Sequence, residues 1–151
     1  MTTSNLAPPH RHLNPRPPRD ALRQALVVDA TMTSLNGLAY LVGAEALDGL
    51  LGVDVGWLRG AGGFLLAFGL AVGALARRPR LPDAAVWTVV VINAVWGLDS
   101  LFVAAIGSGS PSAVGTAWII AQALVVGSFA GWQATAVRSR AAAANHHGGR
   151  P

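Results

Sequence analysis

The 151-residue chain contains no cysteine and no lysine, and only 12% of it is charged. The missing cysteines exclude disulfides, thiolate zinc sites and cysteine nucleophiles, and they leave the redox compartment unmarked. Charge this sparse is about half of what soluble domains carry, while 52% of the residues are hydrophobic. Because lysine is absent, all eleven cations are arginines, which with heavy alanine, glycine and valine use hints at a GC-rich bacterial genome. Also absent are a glycine-rich phosphate loop, a G-x-S-x-G and an H-E-x-x-H. The histidines, His10, His12, His146 and His147, all lie outside the apolar segments, which removes the commonest haem and metal ligands. No catalytic residue, no metal and no cofactor is expected, and the chain reads as non-enzymatic. The arginines flank apolar segments instead of forming a free basic face, so nucleic acid is not the expected partner.

What is present is apolar sequence in four blocks, residues 25–46, 57–76, 84–106 and 113–137. Each is about the ~20 residues a helix needs to cross a bilayer. They are apolar almost all round, unlike the one-sided helices of a soluble bundle. The expected fold is all-α: a four-transmembrane-helix antiparallel bundle over 20–137, with short loops making sequential helices neighbours. Residues 1–19, proline-rich and without apolar periodicity, and 138–151 read as disordered cytoplasmic tails. The first block follows Arg19 and Arg23 and ends in the small-x-small Ala44-Glu45-Ala46 of a cleavage site. It is longer than a signal peptide's apolar core of ~7–15 residues and is broken by Asp29 and Asn36, so it reads as a retained span.

Arginine decides the orientation. Arg11, Arg16, Arg19 and Arg23, then Arg77, Arg78 and Arg80, then Arg138, Arg140 and Arg150 fall on one side, and Arg59 alone on the other. The positive-inside rule puts both termini in the cytoplasm, with Trp57 and Trp118 at the outer interface and Trp87 and Trp132 at the inner one.

Polar residues within the segments are the candidate site. In the first, Asp29, Thr33, Asn36 and Tyr40 recur at helical spacing within an arc of about 60°, a stripe that should face protein or water. The third carries Asn93, Trp96, Asp99 and Ser100 within an arc of about 120°, and the fourth Gln122. At 1.5 Å per residue, Asp29 is expected about 6 Å inside the cytoplasmic boundary, able to reach interfacial water or Arg23, while Asp99 lies about 22 Å from that boundary with Arg59 as its partner. Asn36, Asn93 and Gln122 then share the midplane and are expected to close one amide layer. That layer is either a structural tie between helices or the lining of a small site with Asp99 or Asp29 as proton acceptor or cation partner. For helix packing, the second segment offers Gly62, Gly69 and Gly73, and the fourth a ladder of Ala123, Gly127, Gly131 and Thr135.

Trp57-Leu58-Arg59-Gly60 leading into the glycine-rich 62–76, the Arg77-Arg78-Pro79 turn and the asparagines of the first and third segments carry a resemblance to small four-helix bacterial inner-membrane proteins, broadly DoxX-like, over about residues 20–137. The resemblance implies a multi-pass protein of the cytoplasmic membrane, with roles accessory to redox and stress systems. No functional residue is carried over from it. The expected function is a non-enzymatic scaffold or accessory subunit of a membrane complex, with the bilayer and a second copy or another membrane protein as partners. The alternative is a small transporter or a binder of a lipophilic molecule such as a quinone, acting through the polar layer.

Overall fold

A computed structural model describes residues 18–148, and the side chains of 21–143. Four helices account for nearly all of it: α1 (Pro18–Leu51), α2 (Val55–Ala76), α3 (Asp83–Ile106) and α4 (Ala113–Gly148). Their starts and stops have local causes. Proline at the first position of α1 lacks only an N–H that would be unpaired there anyway. The Asp54 carboxylate caps α2, accepting from Gly56 N at 2.9 Å and Trp57 N at 3.2 Å. Ser112 Oγ caps α4 by accepting from Gly115 N at 3.0 Å. Gly52 after α1 and Gly107 after α3 take positive φ, +66° and +64°, the left-handed turn that glycine enters without strain.

The outer helices exceed the apolar blocks. Helix α1 starts before residue 25 and runs past 46, and α4 continues through 138–148, where a disordered tail is expected. Arg140 anchors that extension, donating to Leu81 O at 3.0 Å and pairing with Asp83, while Arg138 lies over the Trp87 ring at 5.6 Å. Residues 1–17, with His10 and His12, and the His146 and His147 side chains lie outside the described residues.

Helices α1 and α4 are central, packing on each other, with α2 on α1 and α3 on α4. Glycine sets the closeness of the α1–α2 contact. A Cβ on Gly37 would stand 2.5 Å from Leu66 N and 2.8 Å from Gly62 O, and one on Gly62 would stand 2.9 Å from Gly37 O. Further along, Gly69 lies against Ser34 and Ala30, and Gly73 against Ala30. The α4 ladder behaves otherwise. Ala123 is buried against Gly97, but Gly127 and Gly131 are exposed, and a Cβ at either would meet nothing within 4 Å among the described residues. The Gly127 backbone nitrogen nevertheless lies 3.9 Å from where a Cβ on Gly97 would stand, so it borders the α3–α4 contact without presenting its Cβ side to it. A four-residue step turns about 40° around a helix, so the ladder has left the buried stripe one step past Ala123.

Polar side chains lie inside the bundle while large apolar ones face outward. Asp29, Thr33, Asn93, Ser100 and Gln133 are buried, while Val42, Leu70, Leu98, Phe102 and Leu124 are each more than 60% exposed. An apolar surface this extensive on every helix is the reverse of a water-soluble bundle. All four helices are long and apolar enough to cross a membrane, and together they describe a multi-pass membrane protein.

Candidate functional site

The polar stripe of α1 turns inward and splits into two layers. Asp29 is 0% exposed. Its Oδ2 accepts from Asn93 Nδ2 of α3 and from Gln133 Nε2 of α4, both at 2.7 Å. Its Oδ1 accepts from Thr33 Oγ1, one turn along α1, at 3.0 Å. Asn93 Nδ2 also lies 3.5 Å from Gln133 Oε1, so three helices meet on one carboxylate. Three donors occupy most of a carboxylate's roughly four acceptor positions. Around them pack Leu22, Leu26, Ala30, Val72, Val86, Val89 and Val137.

Two helical turns further along α1, about 10 Å, lies the second layer. Gln122 Oε1 of α4 accepts from Asn36 Nδ2 and from Tyr40 OH, each at 3.1 Å. Tyr40 OH in turn accepts from Trp118 Nε1 at 2.6 Å. This layer is half-buried, with Trp118 43% exposed. The Nε2 of Gln122 and the Oδ1 of Asn36 bond to no described residue, leaving one amide edge unused at the α1–α4 surface.

Several expectations need correction. Asn36, Asn93 and Gln122 do not form one layer, because Asn93 belongs with Asp29. The reason is register. Asp29 is eleven residues beyond the start of α1 at Pro18, and Asn93 ten beyond the start of α3 at Asp83. Placing the first span at 25 instead makes Asp29 seem shallow. Nor does Asp29 reach interfacial water or Arg23, whose guanidinium caps the end of α2 by donating to Ala76 O and to Arg78 O. Asp99 is exposed and makes no hydrogen bond or ion pair among the described residues. Arg59, its expected partner, bonds Glu45 at 3.1 Å. Six residues past Asn93, Asp99 sits about 120° around the helix, and an arc that wide exceeds the buried face.

Gln133 is the residue that sequence reasoning missed. Its signal was available: eleven residues after Gln122 are three helical turns, which returns to within about 20° of the same face. No buried side-chain nitrogen or oxygen among the described residues lacks a hydrogen-bond partner. No group of three or more histidine, aspartate or glutamate side chains gathers there as a metal site would require. Comparison with protein-family models, with curated proteins and with solved structures finds no match for the chain.

Proposed function

We propose that this chain is a non-enzymatic scaffold or accessory subunit of the bacterial cytoplasmic membrane, its buried Asp29 layer holding α1, α3 and α4 in register. One observation carries the reading. The most polar group of the interior is wholly enclosed and already spent on three side-chain donors, so it serves the bundle before it serves a ligand. An accessory role of this kind is also what the DoxX-like resemblance implies.

The proposed topology is an antiparallel bundle with both termini in the cytoplasm. Supporting it, Arg23 of α1 bonds the end of α2, and Arg140 of α4 bonds the start of α3, so these four ends gather in one arginine-rich zone. At the opposite end Ser112, before α4, donates through its N–H to Leu51 O at 2.8 Å and through its hydroxyl to Leu50 O at 2.8 Å. Gly37 facing Leu66 and Ala30 facing Gly73 support the same order for α1 and α2. The second reading, binding of a lipophilic molecule such as a quinone, is favoured only by the open Asn36–Gln122 amide edge.

The absence of cysteine makes the test clean. Ser108→Cys should react with an impermeant maleimide on intact cells, and Arg78→Cys only after lysis; the reverse labelling refutes the topology. Purified protein should show the same unfolding temperature with and without a short-chain quinone. A quinone-induced rise that disappears in Gln122→Ala would replace the scaffold reading with the second one.

A further inference from the structure

We infer that the arginine-rich end carries a binding site for one anionic phospholipid, its phosphate seated among Arg23, Arg80 and Arg140 and an acyl chain lying along Val27 and Val28. This rests on the proposed membrane topology only in requiring that end to lie at a lipid headgroup surface. Two cavities share Arg23 as a wall. The first, about 350 Å³, is lined by Arg23, Pro79, Arg80, Leu81, Asp83 and Arg140. The second, about 360 Å³ and more open, adjoins it through Arg23 along α1, lined also by Gln24, Val27 and Val28. An open basic pocket at the helix ends that shares Arg23 with a shallow, mainly apolar depression on α1 offers a phosphate contact beside an acyl contact, whereas a free anion would use only the first.

The charges favour an anion despite Asp83. Arg140 is paired with Asp83, and the Arg23 guanidinium donates to neutral carbonyls. Arg80 is exposed and has no hydrogen bond or ion pair among the described residues. Two guanidinium charges therefore remain uncompensated in the pocket: Arg80 has all five N–H donors to offer phosphate oxygens, and Arg23 the three not spent on the Ala76 and Arg78 carbonyls. Basic chambers between membrane helices at an anionic surface are suited to phosphate-bearing headgroups.

The test uses the full chain in neutral detergent, with its unfolding temperature followed as lipid is added. Dioleoyl phosphatidylglycerol should raise that temperature, whereas dioleoyl phosphatidylcholine at the same concentration should not. Arg80→Gln breaks no contact within the chain, so it should fold normally and require about fivefold more phosphatidylglycerol for half the effect. Arg78→Gln, whose side chain lines neither cavity, should change the requirement less than twofold. Val28→Asn should weaken the response to the lipid. Equal protection by phosphatidylcholine, or equal losses in Arg78→Gln and Arg80→Gln, would overturn the inference in favour of a general surface effect. Equal protection by inorganic phosphate would overturn the lipid in favour of a soluble anion. Because topology is measured separately by cysteine labelling, four correctly labelled spans without lipid selectivity would remove this inference alone.

Discussion

Replacing Asp29 separates a structural carboxylate from a functional one. Asp29→Leu removes the acceptor for Asn93 Nδ2, Gln133 Nε2 and Thr33 Oγ1. Thr33 can turn its hydroxyl to the carbonyl of residue 29, one turn back, at little cost. Asn93 keeps its 3.5 Å approach to Gln133 Oε1, which leaves the Gln133 amide fully stranded and Asn93 partly so. A stranded buried donor costs about 1–3 kcal/mol, and overpacking by the larger side chain adds to this. The expected loss is about 2–4 kcal/mol, above the ~1 kcal/mol that two average interhelical hydrogen bonds in a membrane would explain. Asp29→Asn should behave differently. Its carbonyl oxygen can take the place of Oδ2 and accept both amides, while its NH₂ donates to Thr33 Oγ1, so every contact survives and the change should stay within about 1 kcal/mol. Adding Thr33→Val strands that NH₂ and should cost about 1–3 kcal/mol more. The assay is reversible unfolding in mixed micelles by dodecyl sulfate titration, followed by circular dichroism and the emission of the five tryptophans. If Asp29→Leu stays within about 0.5 kcal/mol of wild type, the network does not hold the bundle. If Asp29→Asn proves as damaging as Asp29→Leu, conserving the acceptor geometry is not enough to hold the layer, and the reasoning from hydrogen-bond partners fails.

Gly37→Ala would press a methyl group into the backbone of α2 at Leu66 and Gly62, and should cost about 1–3 kcal/mol in the same titration. Gly127→Leu, with open space at its Cβ, should leave the monomer unchanged; loss of an assembled species by crosslinking would then locate a partner contact on that face. Asp99→Leu removes an unpaired carboxylate from a face shared with Leu98 and Phe102, and should stabilise the protein in bicelles by about 1–2 kcal/mol. A loss of stability there would show that a second chain supplies a partner for Asp99.

The four spans were legible because hydrophobicity dominates the chain, and their caps at Asp54 and Ser112 use residue types that signal helix starts. The helix lengths were not. Charges at Glu45 and Asp48 end the apolar run of α1 without ending the helix, which stops only where Gly52 takes a positive φ. Arg138 and Arg140 likewise close the apolar run of α4, yet the alanines at 141–144 are strong helix formers and carry it to Gly148. Within the site, the α1 stripe could be read from spacing alone because it lies on one helix. Its partners could not, since pairing across helices depends on where each helix begins, and an error of seven residues at the start of α1 moves Asp29 two full turns.

The two kinds of contact on α1 answer different questions. Glycine at 37, 62 and 69 determines how closely α1 and α2 approach, but backbone packing between small residues distinguishes weakly between neighbouring registers. The Asp29 layer distinguishes strongly. Sliding α1 by one residue relative to its neighbours moves it about 1.5 Å and turns it about 100°, which carries Asp29 off the buried stripe and toward the apolar exterior occupied by Val28 and Met32. An unpaired carboxylate there costs about 2.5–3.5 kcal/mol at the centre of a span, in addition to the amides stranded behind it. Asp99 makes the contrast plain. It is already exposed on such a surface and bonds to none of the described residues, so sliding its helix strands no donor behind it. The two aspartates therefore differ in what a shift of register would cost: Asp29 has three side-chain donors to lose, and Asp99 has none among the described residues.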